Sequence, residues 1–220
     1  MDAVGVLGGT FDPVHHGHLR VAVELADLLE LQSVRLVPVG SPAHRDQPIA
    51  TAEQRMRMLR AAVDGIPVLE VDGRELERDG PSYTVDTLIS LRAEMSDSAI
   101  CLIVGMDQFQ ALHLWHRWQE IPSLAHICVV QRPGANAPRS AEIAQLLLER
   151  QVTDPGRLHE ATCGFVYMGN VPVLDISSTR IRALVAKYLS PQFLLRDAVL
   201  DIIKSEQLYA SSERAGASHT

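Results

Sequence analysis

Cysteine is scarce in this chain of 220 residues: three in all, at positions 101, 128 and 163, with no CxxC spacing. An odd count without paired spacing argues against a disulfide framework and against a cysteine-built zinc site. Cys101 and Cys128 lie inside the apolar runs ICLIV and ICVV, so they read as buried, reduced thiols. Aromatic residues make up only 5%, which favours an aliphatic core of sheet and helix. No run approaches the ~20 apolar residues that span a bilayer. The first residues, Met1 to Gly5, lack a basic stretch followed by an apolar signal segment. These absences predict a cytoplasmic protein with no membrane partner. Positive charge is in deficit as well, with 20 Lys and Arg against 27 Asp and Glu and a net charge of −7. That balance excludes a generic nucleic-acid binder, which would carry a basic stripe. A small anionic substrate stays in play, because local groups set the field inside a cleft. Neither GxGxxG nor the GKS or GKT of a phosphate-binding loop occurs. A hydride-transferring dehydrogenase therefore keeps only the fold class in its favour.

What is present is a regular alternation. Apolar, Val- and Ile-rich runs recur at Val4–Leu7, Val34–Val39, Val68–Val71, Ile100–Val104, Ile127–Val130 and Phe165–Met168. Helical patterns lie between most of them, at His18–Leu31, Ala52–Val63, Thr84–Arg92 and Ser140–Gln151. Continuous apolar strands alternating with helices predict an α/β fold, a Rossmann-like, doubly wound parallel sheet buried on both faces. After Asp175 the pattern changes to C-terminal helices over Ser178–Leu189 and Phe193–Ser205, the first capped by Ser177 or Ser178 and the second opened by Pro191. One domain over residues 1–210 is expected, with a surface loop at Pro133–Pro138 and a disordered tail over 211–220.

Gly8 to Leu19 read GGTFDPVHHGHL. An apolar strand, two glycines that break it, an Asp12-Pro13 turn and an amphipathic helix that His18 would open form a layout that aims backbone N–H groups at an anion. Gly8 and Gly9 would let the backbone approach a phosphate closely; the plainer alternative is a tight turn without a ligand. His15 and His18 could be surface or capping residues, zinc ligands or phosphate donors. The zinc reading lacks a third ligand at suitable spacing, and no role is assigned to His16. Near the C-terminus, Ser178, Thr179 and Arg182 place hydroxyls and a planar, permanently charged donor at a helix start, a combination suited to phosphates. For Arg180 a solvated helix face is as good an account. His15, His18, His44, Arg45, Arg132, Arg180 and Arg182 could make one positive pocket on an acidic body, though spacing alone does not bring them together.

The HHGH of residues 15–18 resembles the HxGH signature of the nucleotidyltransferase α/β superfamily, and Ile176–Arg182, ISSTRIR, resembles its ISSTxIR motif. The two stand in the superfamily's order, about 160 residues apart. Further matches single out the nicotinate-nucleotide adenylyltransferase family: PSYT at 81–84 with Thr87-Leu88, Gly105-Met106-Asp107 with Trp115 ten residues after Gly105, Pro42–Arg45, and Arg132-Pro133-Gly134. Met106 stands where that family often has Ala. The resemblance runs from Gly5 to about Tyr209. It implies adenylyl transfer from ATP to nicotinate mononucleotide, with magnesium carried on the ATP and no dedicated metal site. It also implies roles: His15, His18 and Arg182 at the reacting phosphates; Gly8, Gly9, Thr10, Phe11, Ser178 and Thr179 around ATP; His44, Arg45, Tyr83, Thr84, Asp107, Trp115 and Arg132 around the mononucleotide. Trp115 would stack on the pyridine ring, unless it is simply a core or interface aromatic; Trp118 and His116 are expected to be packing or surface residues. The alternatives are another phosphate acceptor (nicotinamide mononucleotide or phosphopantetheine) and a nucleotide-binding module without turnover. Small-molecule substrates are the expected partners, and assembly into a homo-oligomer is left open.

Overall fold

The computed structural model describes residues 1–42, 47–131 and 140–211. The expected loop at 133–138 lies outside them, and so does the expected tail beyond Ser211. In chain order the strands are β1 (Ala3–Gly9), β2 (Ser33–Pro38), β3 (Ser41–Pro42), β4 (Leu69–Val71), β5 (Pro81–Ser82), β6 (Ala99–Gly105), β7 (His126–Gln131), β8 (Gln151–Val152) and β9 (Val166–Asn170). The helices are α1 (His16–Leu28), α2 (Ala52–Val63), α3 (Thr84–Glu94), α4 (Met106–Gln110), α5 (Ile121–Leu124), α6 (Ala141–Arg150), α7 (Ser178–Ala186) and α8 (Asp197–Ser205).

Seven strands form one sheet in the order β4-β2-β1-β6-β7-β9-β8, and every pairing in it is parallel. Continuous apolar runs become central strands because both of their faces are covered. Along β6, Cys101 and Ile103 join the core under α1, α2 and α8, while Ile100, Leu102 and Val104 join a second core under α3, α5 and α6. This is the α/β, Rossmann-like architecture expected. The chain order reverses at β1, which has β2 on one side and β6 on the other. In open parallel sheets that reversal leaves a crevice at the carboxyl ends of the strands, where ligands bind.

Several boundaries move from expectation, each for a local reason. β1 is not broken by its glycines: Gly8 and Gly9 still pair with Val37 and Pro38. The turn comes later, with Phe11 in the left-handed region at φ 48°. A Cβ at Gly9 would sit 2.9 Å from the tip of the Phe11 ring, which would then have to shift. His18 does not open α1, since His15 holds the N-cap position and the helix starts at His16. That helix ends at Leu28 because Glu30 turns left-handed, at φ 49°, and the Leu31 N–H closes back on the Ala26 carbonyl at 2.9 Å. α7 likewise stops at Ala186, before Tyr188 turns left-handed at φ 57°. Pro191 opens only a turn; Phe193 is left-handed at φ 66°, and α8 begins at Asp197.

Candidate active site

The turn that joins β1 to α1 is held from outside by its carbonyls. Arg55 donates from Nη1 to the Thr10 carbonyl at 2.9 Å, Arg182 from Nη1 to the Asp12 carbonyl at 2.7 Å, and Ser178 from its hydroxyl to the Pro13 carbonyl at 2.9 Å. Carbonyl oxygens facing an anion would repel it, so a turn with three carbonyls tied elsewhere can face one with its N–H groups. The Asp12 side chain, 3% exposed, is the hub behind the turn. It accepts the Ile49 N–H at 2.8 Å, the Ala50 N–H at 3.1 Å and the Tyr209 hydroxyl at 2.7 Å, and Arg182 lies 3.8 Å from its Oδ2. Burial, with Asp12 alongside, pushes the Tyr209 phenol far above its ordinary range, so it remains a donor.

His15 and His18 share the mouth of α1. Their rings stack with centroids 3.7 Å apart, and the His15 main-chain N–H donates to His18 Nδ1 at 3.3 Å. With Nδ1 accepting, the proton of a neutral His18 ring sits on Nε2, which is left as a donor. Burial lowers the pKa of His15 to about 4, helped by His16, and that of His18 to about 3, helped by His15. The expected positive pocket is corrected in this respect: at neutral pH both imidazoles are uncharged donors. Phe11 sets its edge against His18 at 5.0 Å. Gly17 leaves the rings room, since a Cβ there would lie 3.0 Å from His15 and 3.5 Å from the Ile176 carbonyl.

That last contact is where the second motif arrives. Ser177 caps α7, its hydroxyl accepting the Arg180 N–H at 3.2 Å. The Ser178 hydroxyl is thereby free to reach Pro13. Arg182 also lies 3.5 Å from the Thr179 hydroxyl, while Arg180 is exposed. The start of α7, with N–H groups that have no partner within the helix, thus abuts the turn that carries the histidines.

On the other side of Gly8, Gly9 and Thr10 opens a cavity at the carboxyl ends of β1, β2 and β6. Gly8 contributes space, for a Cβ there would meet nothing within 4 Å. Tyr83, Thr84 and Trp115 line this cavity, and Trp115 packs against the second core as well. His116 is exposed, as expected of a surface residue, and stands at the edge of the cavity with its ring 4.3 Å from that of Tyr83; Trp118 packs against the core. Asp107 is exposed in the first turn of α4 and is not among the lining residues. His15, His18, Phe11, Ser178, Thr179 and Arg182 do not line it either; they belong to the turn beside it. His44, Arg45 and Arg132 lie outside the described residues. Sequence reasoning misses Arg55, Tyr209 and Glu75, and reads Asp12 only as a turn former. Among the described residues no three His, Cys, Asp or Glu side chains converge as a group able to hold a metal ion, and no helix is long and apolar enough to cross a membrane.

A family model described as cytidylyltransferase-like matches residues 6–184. A protein of Methylococcus capsulatus named "probable nicotinate-nucleotide adenylyltransferase" is 48% identical over 208 residues, covering 94% of this chain and 99% of the relative. One of the same name from Marinobacter nauticus is 46% identical, covering 94% and 96%. Among solved structures, the nicotinic acid mononucleotide adenylyltransferase of Plasmodium falciparum in complex with NaAD superposes with a TM-score of 0.71. It does so at 15% identity, covering 95% of this chain and 98% of that one, a likeness of fold.

Proposed function

Since this chain belongs to the cytidylyltransferase-like family and, within it, to the nicotinate-nucleotide adenylyltransferases, we propose that it transfers the adenylyl group of ATP to nicotinate mononucleotide, giving nicotinate adenine dinucleotide and pyrophosphate. The observation that carries the reading is the meeting of two neutral, stacked imidazoles, the start of α7 and Arg182 at one turn, with an aromatic-walled cavity directly beside it.

The chemistry needs little beyond alignment and charge compensation. A phosphate oxygen of the mononucleotide, ionised at neutral pH, attacks the α-phosphorus of ATP. A new P–O bond forms, the bond from the α-phosphorus to the bridging oxygen breaks, and the electron pair leaves with pyrophosphate. No proton has to move, so no nucleophilic side chain or general base is required. His18, through Nε2–H, and His15 hold the α-phosphate as charge grows on it. Gly8, Gly9, Thr10 and Phe11 supply the turn against which the phosphates lie. Arg182, Ser178, Thr179 and the first N–H groups of α7 hold the departing pyrophosphate. Fixed donors of this kind contribute most in a site that does not have to reorganise. Uncharged imidazoles suit the task, because they donate without requiring a counter-ion before ATP arrives. Magnesium comes with ATP as part of the substrate and keeps most of its waters. Tyr83, Thr84 and Trp115 receive the pyridine ring; Asp107 takes a ribose hydroxyl, and His44, Arg45 and Arg132 meet phosphate or carboxylate. The three free cysteines suit the reducing cytoplasm in which we place the enzyme.

The test is pyrophosphate release from ATP with nicotinate mononucleotide, nicotinamide mononucleotide and phosphopantetheine offered in turn. The first is expected to be used best. A clear preference for either of the others overturns the acceptor assignment, and ATP binding without release under all three overturns the reaction.

A further inference from the structure

One charged side chain in the acceptor cavity has no part in the reaction just described. Glu75, in the segment after β4, is 8% exposed and lines the cavity with Ser82, Tyr83, Thr84 and Thr87. The Thr87 hydroxyl donates to Glu75 Oε1 at 2.7 Å, and the Ser82 hydroxyl hydrogen-bonds the same carboxyl. Ser82 in turn accepts the Gly40 N–H at 3.2 Å. The main chains at this knot press together: a Cβ on Gly40 would lie 2.2 Å from the Glu75 carbonyl and 2.9 Å from the Ser82 hydroxyl. Only glycine allows that approach. Three segments are therefore tied through one carboxyl: the chain leaving β2, the chain leaving β4, and the Pro81–Thr84 entry into α3.

A carboxyl group makes a poor stabiliser here. Its burial is costly unless a cation pairs with it, and among the described residues none stands within ion-pair distance. Burial pushes its pKa up, while the Thr87 and Ser82 hydroxyls, the charge of Arg78 and the Gly40 N–H oppose that rise. An apolar residue would fill the space at lower cost, so the group is better explained by what it holds. What it holds is the start of α3, where Tyr83 at the N-cap and Thr84 line the cavity that Trp115 also lines.

We propose that Glu75 is a positioning residue for the acceptor nucleotide, locking the first turn of α3 to the end of β2 and so setting where the pyridine ring lies. The inference rests on the adenylyl-transfer reading and goes beyond it. In steady-state kinetics on the full chain, Glu75→Ala raises the KM for nicotinate mononucleotide about tenfold, as loss of its buried hydrogen bonds would, and leaves the KM for ATP within about twofold. Glu75→Gln, whose amide oxygen still accepts from Thr87, recovers most of the loss. Parallel rises in both KM values, or an unchanged acceptor KM in the alanine variant, overturn the proposal. Should Glu75→Ala fail to fold, Thr87→Val removes one hydrogen bond without removing the carboxyl and reads the same split on a smaller scale. The wild-type protein tests the reaction separately: if it prefers another acceptor, the KM comparison is made with that acceptor. If it does not turn over at all, equilibrium binding of nicotinate mononucleotide, followed by tryptophan fluorescence, reports the same difference between variants.

Discussion

The proposed phosphate turn and the proposed acceptor cavity share Gly8, Gly9 and Thr10 and are otherwise built on opposite plans. The turn is one contiguous stretch locked from behind. Its carbonyls are held by Arg55, Arg182 and Ser178, its carboxylate by two main-chain N–H groups and Tyr209, and its rings by each other. The cavity is gathered from the ends of three strands, the segment after β4, the entry to α3 and the turn that carries Trp115 and His116. Stabilising charge on a phosphorus in flight demands donors that do not move, and a buried contiguous turn supplies them. Recognising a flat ring demands surfaces, and surfaces can be assembled from separate pieces. The two plans should fail differently when a side chain is removed.

The largest effect belongs to the turn. His18→Ala removes a fixed donor and is expected to cut kcat by about 10²–10³, with the KM for the mononucleotide little changed and the circular dichroism spectrum retained. A folded variant with near-normal turnover would take the histidines out of the chemistry. A smaller effect is expected in the cavity. Trp115→Ala removes a stacking surface of roughly 0.5–2 kcal/mol, raising the acceptor KM up to ~30-fold and sparing that for ATP. Equal damage to both KM values would return Trp115 to the core aromatic it also is, and the contrast between the two regions would dissolve with it.

The same contrast explains what can be read before folding. Six apolar runs fall on six of the seven strands of the large sheet, and the bounds of α2 agree at Ala52 and Val63, because hydrophobic period and helix caps are local properties. The short edge strand Gln151–Val152 carries too little pattern to notice. The turn is legible because its parts are adjacent in sequence, and α7 because its motif is compact. Arg55, Tyr209 and Glu75 are not. A buried polar residue takes its meaning from a partner chosen by tertiary structure, and Tyr209 meets Asp12 across 197 residues. The C-terminal helices are overextended in the sequence reading for a related reason. Tyr188 and Phe193 adopt left-handed backbone that neither residue favours alone, and no residue type announces it.

The smallest effect on turnover at neutral pH concerns the charge state of the turn. Unfolded, His15 and His18 titrate near 6.5; folded, they titrate near 4 and near 3, chiefly because they are buried. Between those values the unfolded chain takes up protons that the folded one refuses. Both histidines therefore cost stability as pH falls below about 6.5, and the loss is complete only below the folded values. Carboxylates titrate in the same range, so the quantity to measure is a difference: denaturant unfolding of the wild type and of His18→Gln at several pH values from 7 to 4. The variant lacks one proton acceptor, and its stability should fall less steeply, by about 1–3 kcal/mol over the range. Parallel curves would mean that His18 keeps an ordinary pKa when folded. The turn would then meet ATP partly charged below neutrality, and its donors would be less distinct from the half-buried side chains around the cavity than their burial implies.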